Sequence, residues 1–499
     1  MKKFCALAVV FLLLCPSAYA EGMITFSGKT DFGKMITVMT VKDNGNYSLP
    51  DFGDIGYINQ TTADKNGNYT IGIPISQFNS GYKLFSIENL RRVIYVSQNG
   101  NDSADGSKTA PYKTLLKAVS VCDDNALIVL SDIVTVPNGA WYNCGAENIT
   151  ISGKNPENGE ITGGLDFTNA VGVHFNFSVT FENMTFNTLA SDLSDYNAKV
   201  NKIFACGNKI VFGENLTMDN PIDIFGGHSV NHTVESTDLT VKSGTYRRIY
   251  GGGEQSAVTG DTHIKIYGMN EKFSANDDDS NYYKSWISGG GKNSGATVGG
   301  DSYIEFYSGV CAVVSGVGIG AEVLGDTHIT QKGGRIMNIY GGSADEKTVH
   351  NGNSRISIEG GTAESVFGGS YCADFIGNTD VSVTDGEILR RIYGGCYNDW
   401  TGSWKGDCSV SGTAGVTVGK NAKIATLGDL KGTNRLNAGI FGGSRMSSQK
   451  DSETAVVIFS QNSYDEKIKY LGDVTGYDDV FKPFCKFIVK SGEGGSVVS

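Results

Sequence analysis

The sequence predicts an all-β chain: a small β-sandwich module followed by a long solenoid of stacked coils. Three observations carry that prediction. Glycine is heavy at 67 of 499 residues and proline light at 8, with no collagen period. Short apolar runs such as ALIVLSD, NITISG, KIVFGENLTM and DLTVKSG are separated by Asn, Gly and Asp, with no amphipathic helix of ordinary length between them. A two-part signature then recurs, mostly at intervals of 25 to 27 residues, with longer ones from Ile249 to Ile287 and from Ile392 to Ile440.

The first part of the signature is an aliphatic-aromatic-Gly-Gly step at Ile224, Ile249, Ile339, Val366, Ile392 and Ile440, with ISGG at Ile287 and VSGV at Val314. Several of its intervals are 25 to 27 residues. The second part is Gly-Asp/Asn-Thr/Ser, at Gly260-Asp261-Thr262, Gly300-Asp301-Ser302, Gly325-Asp326-Thr327, Gly352-Asn353-Ser354 and Gly377-Asn378-Thr379. A segment of that length cannot bury a core alone, but stacked copies can. Each copy reads as one coil of two or three short strands whose alternating Ile and Val face inward. Neighbouring coils then pair in parallel about 4.8 Å apart. The Gly-Gly step is expected to supply backbone freedom for a tight corner, and the Asp or Asn to bond the backbone at another. Ile249, Ile339, Val366 and Ile392 should share one interior column or its immediate neighbour. Roughly 370 residues at about 26 per coil give about 14 coils and a rod ~65 Å long.

Taken in order, the chain opens with a leader. Lys2 and Lys3 precede the apolar run FCALAVVFLLL, and Ala18-Tyr19-Ala20 follows. A positive start, a short apolar run and an A-x-A site form a secretory signal. Residues 1–20 are therefore expected to be removed and the chain to be secreted or displayed at the cell surface. The run is too short to span a membrane comfortably, no later segment looks transmembrane, and no membrane insertion is expected.

Residues 21–90 read as the sandwich module. MITVMTV alternates, IGYINQTT and NYTIGIPI follow, and Asn66-Gly67 is a hairpin turn. The segment INQTTADKNGNYTIGIP resembles the prealbumin-like or carboxypeptidase-regulatory-like modules of bacterial exported proteins. The resemblance implies a spacer or binding appendage.

The stretch VIYVSQNGNDSADGSKTAPYKTLLKAVS (93–120) reads as a strand, a polar loop and a short helix near 111–120. Pro111 suits an early helical position, and Leu115, Leu116 and Val119 are expected to cover the open apolar end of the first coil. The pattern of Tyr95, Val96, Ser97, Gly100, Asp102, Asp105, Gly106, Ser107, Pro111, Tyr112, Lys113, Thr114, Leu115 and Ala118 resembles the opening segment of the pectate-lyase-like superfamily. That resemblance implies a right-handed parallel β-helix, here over 91–465. It leaves the chemistry open, because the superfamily includes lyases, hydrolases, adhesins and noncatalytic proteins. Residues 466–499 read as a C-terminal β segment, the start of a further module that stops abruptly.

The formal net charge is −12, or −14 once Lys2 and Lys3 leave with the leader. Such a surface disfavours nucleic acid and anionic membranes as partners, and it repels acidic polysaccharides unless a cation bridges them. Eight cysteines remain after the leader: Cys122, Cys144, Cys206, Cys311, Cys372, Cys396, Cys408 and Cys485. No C-x-x-C occurs, so zinc is not indicated. Cys122 and Cys144, and Cys372 and Cys396, lie about one repeat apart, so each pair could stack in neighbouring coils as a disulfide or as free thiols.

Candidate chemistry falls in four places. Asp102 and Asp105 could hold calcium; the competing reading is an Asx-turn loop ahead of the helix. The series Asp261, Asp301, Asp326 would stack carboxylates about 4.8 Å apart, which repel by about 1 kcal/mol in water. It continues as Asn353 and Asn378, which favours a corner role. Two insertions, at 268–286 and 398–415, carry Asp277, Asp278, Asp279, Tyr282, Tyr283, Lys284 and Trp286, then Trp400, Trp404 and Lys405. Insertions of a solenoid fall on one face, and aromatic faces stack on sugar rings. Tyr282, Tyr283, Trp286, Trp400 and Trp404 are therefore the candidate ligand-binding residues. Finally, Arg247-Arg248, Arg335 and Arg390-Arg391 precede the aromatic-Gly-Gly steps. They supply the basic type a calcium-assisted lyase needs, yet a repeating residue is better read as an edge ion pair or stacking contact. The six histidines look scattered. The expected function is noncatalytic, adhesin-like binding of a polysaccharide or cell-surface glycan. The alternative is a polysaccharide lyase or glycoside hydrolase, with calcium as its candidate cofactor.

Overall fold

The computed structural model describes residues 23–29, 35–42, 55–64, 68–77, 82–89, 92–156, 158–190, 199–270, 285–345, 348–397, 408–419, 421–424, 439–444, 456–460, 486–491 and 494–498; residues 1–20, expected to be a leader, lie outside them. No helix among these residues is long and apolar enough to cross a membrane.

Two antiparallel sheets form the first unit. Met23–Lys29 pairs with Asn68–Pro74, and Met35–Lys42 runs between Ile55–Thr62 and Tyr82–Asn89. The alternation of MITVMTV turns Ile36 and Val38 inward, where they meet Ile71 and Ile73, with Phe26, Tyr57 and Tyr69 packed around them. One core thus joins the two sheets.

The rest is a parallel β-helix. A first ladder starts at Val93–Val96 and continues through Leu127–Leu130, Ile149–Ser152, Val179–Glu182, Lys209–Phe212, Thr237–Val241 and Thr262–Ile266. It passes Ser302–Phe306 and Thr327–Gln331 and ends at Ala414–Val418, Val456–Ser460 and Lys486–Ser491. The last of these strands lies beyond the boundary expected at 465: it pairs in parallel with Val456–Ser460, and Gly494–Val498 folds back on it antiparallel. A second ladder runs from Trp141–Asn143 through Gly172–Asn176, Lys202–Phe204, Ile222–Phe225, Tyr246–Tyr250, Trp286–Ser288, Val310–Ser315 and Arg335–Tyr340. Farther on, the long strands Ser354–Phe367 and Thr379–Tyr393 serve both ladders.

Register follows the repeat. Val173, Ile203, Ile224, Ile249, Ile287, Val314, Ile339, Val366, Ile392 and Ile440 pair in sequence along the second ladder. All ten are buried in the main core. Stacking Ile and Val about 4.8 Å apart lets each side chain pack on its neighbours along the column.

The Gly-Gly step has a different cause from the one expected. None of its glycines has a positive φ. A Cβ on Gly251 would collide with the carbonyl oxygen of Gly289 in the next coil, and one on Gly368 with that of Gly394. Glycine is required there by close approach of backbones, not by its freedom of φ. That freedom is used at the opposite corner, where Gly244, Gly309, Gly334, Gly361 and Gly386 all have positive φ.

The cap helix is shorter than expected. It spans Leu115–Ser120, starting after Thr114, whose hydroxyl accepts the Lys117 N–H. Pro111 and Tyr112 stay in the preceding extended segment, where Tyr112 bridges Val96. Leu115, Ala118 and Val119 are buried, but Leu116 is 56% exposed. Positions i, i+3 and i+4 share a helix face, and Leu116 lies off it.

Candidate functional site

The acidic residues act mainly as corners. Asp102 Oδ1 accepts the N–H groups of Lys113 and Thr114 at 2.9 Å each, and Oδ2 accepts the Thr114 hydroxyl at 2.9 Å. Asp105 accepts the Ser107 N–H at 2.9 Å, and that bond holds its carboxyl below the usual carboxylate range. Both are therefore turn acceptors ahead of the helix. Among the described residues no group of three or more His, Cys, Asp or Glu is placed to hold a metal ion.

The Gly-Asp/Asn-Thr/Ser step is a ladder of its own. Asp261 Oδ1 accepts the Asp301 N–H, Asp301 that of Asp326, and Asp326 that of Asn353, each at 2.8 Å. Asn353 accepts the Asn378 N–H at 3.0 Å, and Asn378 that of Thr413 at 2.9 Å. An amide oxygen accepts as well as a carboxylate, which is why Asn replaces Asp. The preceding glycine leaves room, since a Cβ on Gly300 would strike the Asp261 carboxylate. The hydroxyls of Thr262, Ser302 and Thr327 donate to the carbonyls of Gly289, Gly316 and Gly341 at 2.7, 2.6 and 2.6 Å. The two halves of the repeat are thus tied across neighbouring coils.

Chemistry useful to a ligand lies on the outer face of the second ladder. Outward positions there form two rows. One contains Lys202, Asp223, Arg248, Trp286, Val313, Asn338, Ser365 and Arg391; the other Phe204, Phe225, Tyr250, Ser288, Ser315, Tyr340, Phe367 and Tyr393. In the second row Phe204 stacks on Phe225 at 5.0 Å, Phe225 on Tyr250 at 4.7 Å, Tyr340 on Phe367 at 4.9 Å and Phe367 on Tyr393 at 5.7 Å. Segments following the Gly-Gly steps fold over it and bring Ile319, Tyr371 and Tyr397 against these rings.

The first row stays partly open. Trp286 is half-buried, and the Arg248 guanidinium lies 5.7 Å from its ring centre. The Arg391 guanidinium lies 4.9 Å from the Tyr397 ring and 5.8 Å from Phe367, and Tyr371 stacks on Tyr397 at 5.8 Å. Between them and the N-terminal end sits a charge cluster. Lys202 Nζ is 2.6 Å from Glu254, Lys292 Nζ is 3.6 Å from the same carboxylate, and Arg247 holds Asp223 through two bonds of 2.8 and 2.6 Å. Burial pulls Lys292 below the ordinary lysine range. With Arg248 nearby, cations outnumber carboxylates here in an otherwise acidic chain.

Of the residues expected to bind a ligand, Trp286 belongs to this face; Tyr282, Tyr283, Trp400 and Trp404, with Asp277, Asp278 and Asp279, lie outside the described residues. The arginines do not converge. Arg247 is paired with Asp223, Arg390 with Glu364 at 2.8 Å, and Arg391 stacks on rings several coils away.

Three of the histidines are not scattered. His174, His228 and His232 meet around Trp141 at ring distances of 4.1, 5.5 and 5.5 Å, and His174 also stacks on Phe204 at 4.6 Å. His174 Nε2 lies 2.9 Å from the Ser229 hydroxyl. Burial first, then neighbouring imidazoles, pushes His174 and His228 down to about 4. The His174 and His228 rings are therefore neutral near pH 7. Trp141 starts the second ladder and is 39% exposed. Its signal in the sequence was slight: WYN and VHFNF precede the explicit repeat and lack the Gly-Gly marker.

The outer face of the first ladder carries a second row. His263, Tyr303 and His328 stack at 4.8 and 4.6 Å, and Tyr267 stacks on Tyr307 at 4.4 Å. Glu305 and Lys332 close on the Tyr307 hydroxyl at 2.6 and 3.2 Å.

Compared with known proteins, the chain matches no family model, no curated protein and no solved structure.

Proposed function

We propose that this chain is an exported bacterial β-helix rod that binds glycans along the outer face of its second ladder, without catalysis of its own. The observation that carries the reading is the alignment on that one face of Trp141, the Lys202–Lys292 cluster, Trp286 with Arg248, and Tyr371 and Tyr397 with Arg391. Aromatic rings offer flat apolar area to pyranose rings. Guanidinium groups offer forked donors to hydroxyls or carboxylates. Coils lie about 4.8 Å apart and these groups are spread over many of them, so the ligand that suits them is a polymer. The local excess of cations suits sugars bearing carboxylates, despite the acidic net charge. The signal-like residues 1–20 support secretion or surface display.

The rival reading is a polysaccharide lyase or hydrolase, supported by the resemblance of 93–120 to the pectate-lyase-like superfamily. A lyase needs a base beside the proton it removes, whereas the arginines here occupy separate coils. The test is a screen of the secreted form on acidic and neutral polysaccharides, with and without calcium. Retention without product is the expected result. Calcium-dependent release of unsaturated uronide would replace the binding reading with the lyase.

A further inference from the structure

Two thiols meet where the cap helix joins the first full coil. Cys122 lies just past the helix Leu115–Ser120, and Cys144 just past the strand Trp141–Asn143. Their sulfur atoms are 3.0 Å apart. That is closer than two unbonded sulfurs ordinarily rest, and about 1 Å longer than a covalent S–S bond. Both side chains are partly exposed and pack against the main core, whereas Cys206 and Cys311 are buried.

We propose that Cys122 and Cys144 form an oxidation site, a disulfide staple that fastens the cap helix to the first coil. Their surroundings set the order of events. The Cys122 thiol donates to the Val119 carbonyl at 3.1 Å, and burial, then the neighbouring thiol, pushes its pKa up. The Cys122 hydrogen is thus turned to a carbonyl, whereas the Cys144 sulfur accepts the Ala146 N–H at 3.4 Å and keeps its other side toward its partner thiol. Cys144 is therefore the first nucleophile. With a low-molecular-weight disulfide as oxidant, the Cys144 thiolate attacks one sulfur, forms a mixed disulfide and releases the other half as a thiol. Cys122 then gives up its proton, attacks the Cys144 sulfur and expels the second half. The two protein thiols lose two electrons and two protons, and the oxidant leaves as two thiols. The bond closes residues 122–144 into a loop, which restrains the unfolded chain. It also holds Leu115, Ala118 and Val119 over the open end of the core.

The test uses the full chain without its leader, folded and incubated with oxidised glutathione. Free thiols are then blocked, and the chain is digested without reduction. The expected result is one cross-linked pair of peptides carrying Cys122 and Cys144, with Cys206 and Cys311 reacting only after denaturation. The Cys122→Ser variant should accumulate a glutathione adduct on Cys144, while Cys144→Ser should leave Cys122 largely unmodified. Reductant should lower the Tm of the oxidised wild type and leave both variants unmoved. Recovery of Cys122 and Cys144 unlinked from the folded wild type would overturn the proposal, and that measurement stands even where a variant fails to fold. Equal adduct formation on the two variants would overturn the order of attack, and a wild-type Tm indifferent to reductant would overturn the staple.

Discussion

The early and late coils of the β-helix solve the same packing problem differently. In the early coils a third ladder, Ile133–Thr135, Gly164–Asp166, Met184–Asn187 and Leu216–Met218, stands between the other two. The extra wall encloses more volume, and aromatic residues fill it: Tyr142 stacks on Phe175 at 5.0 Å, and Phe181 meets Phe175, Phe186 and Phe212 at 4.9, 5.8 and 5.7 Å. In the late coils the third ladder is replaced by a glycine corner, as at Gly244, Gly309 and Gly334. The narrower interior is filled largely by Ile and Val, as in the column from Ile249 to Ile392. Aromatics there move to the outer face, under loops whose Val258, Val298 and Val323 form a second small core. The corners differ in kind as well. Asn183 and Asn215 take positive φ early, where glycines do so late. What the difference teaches is that narrowing the coil moves the stacked rings to its outer face, where covering loops bury Tyr250, Phe367 and Tyr393 and leave Trp286, Tyr371 and Tyr397 partly open.

The largest expected effect comes from emptying the early interior. Phe181→Ala should cost about 3–5 kcal/mol, because several rings around it cannot collapse into the space. Ile339→Val in the late interior should cost only about 0.5–1.5 kcal/mol. Chemical denaturation of both variants checks the ratio; equal losses would break the distinction between the two regions.

Next is the backbone contact of the late coils. Gly368→Ala sets a Cβ against the Gly394 carbonyl and should cost about 1–3 kcal/mol, as overpacking does. Gly139→Ala meets no atom nearby, but its positive φ makes it a smaller strain of another kind. A smaller effect still is expected at the corner ladder. Asp301→Ala leaves the Asp326 N–H without its acceptor and should cost about 1–2 kcal/mol. Asp301→Asn should lie near the wild type, as Asn353 and Asn378 do the same work.

The early region should also respond to acid. His174 and His228 are held down to about 4 in the folded chain, against about 6.5 when unfolded. As pH falls the unfolded chain binds these protons first. Their contribution is therefore full above about pH 6.5 and declines toward pH 4. Tm measured across that range should fall, and His174→Phe, which keeps the stack on Phe204, should flatten the fall. An unchanged slope in the variant would assign the acid response elsewhere.

Much of this was legible in the sequence. The Ile and Val column was, because a β-branched residue ahead of each glycine step marks the same position of every coil, whatever the length inserted between. The outward aromatics were not. Alternation sends Tyr250 and Phe367 out of the coil, yet both are buried, because an irregular loop covers them. His174 and His228 escaped for a similar reason: one sits on an early strand without the Gly-Gly marker, the other on a covering loop. Leu116 was misplaced because the helix is only six residues long and presents a single narrow face. The first glycine of each Gly-Gly step was correctly singled out for the wrong reason, since close approach between coils is invisible in one repeat.

The claim that the outer face of the second ladder binds glycan is tested most directly by retention on immobilised polysaccharides that hold the wild type. Trp286→Ala and Tyr397→Ala, combined, should lose at least tenfold in retention, about 1.4 kcal/mol or more, while Tyr303→Ala on the other face should not. Unchanged retention in the double variant, with the loss appearing instead in Tyr303→Ala, would contradict it.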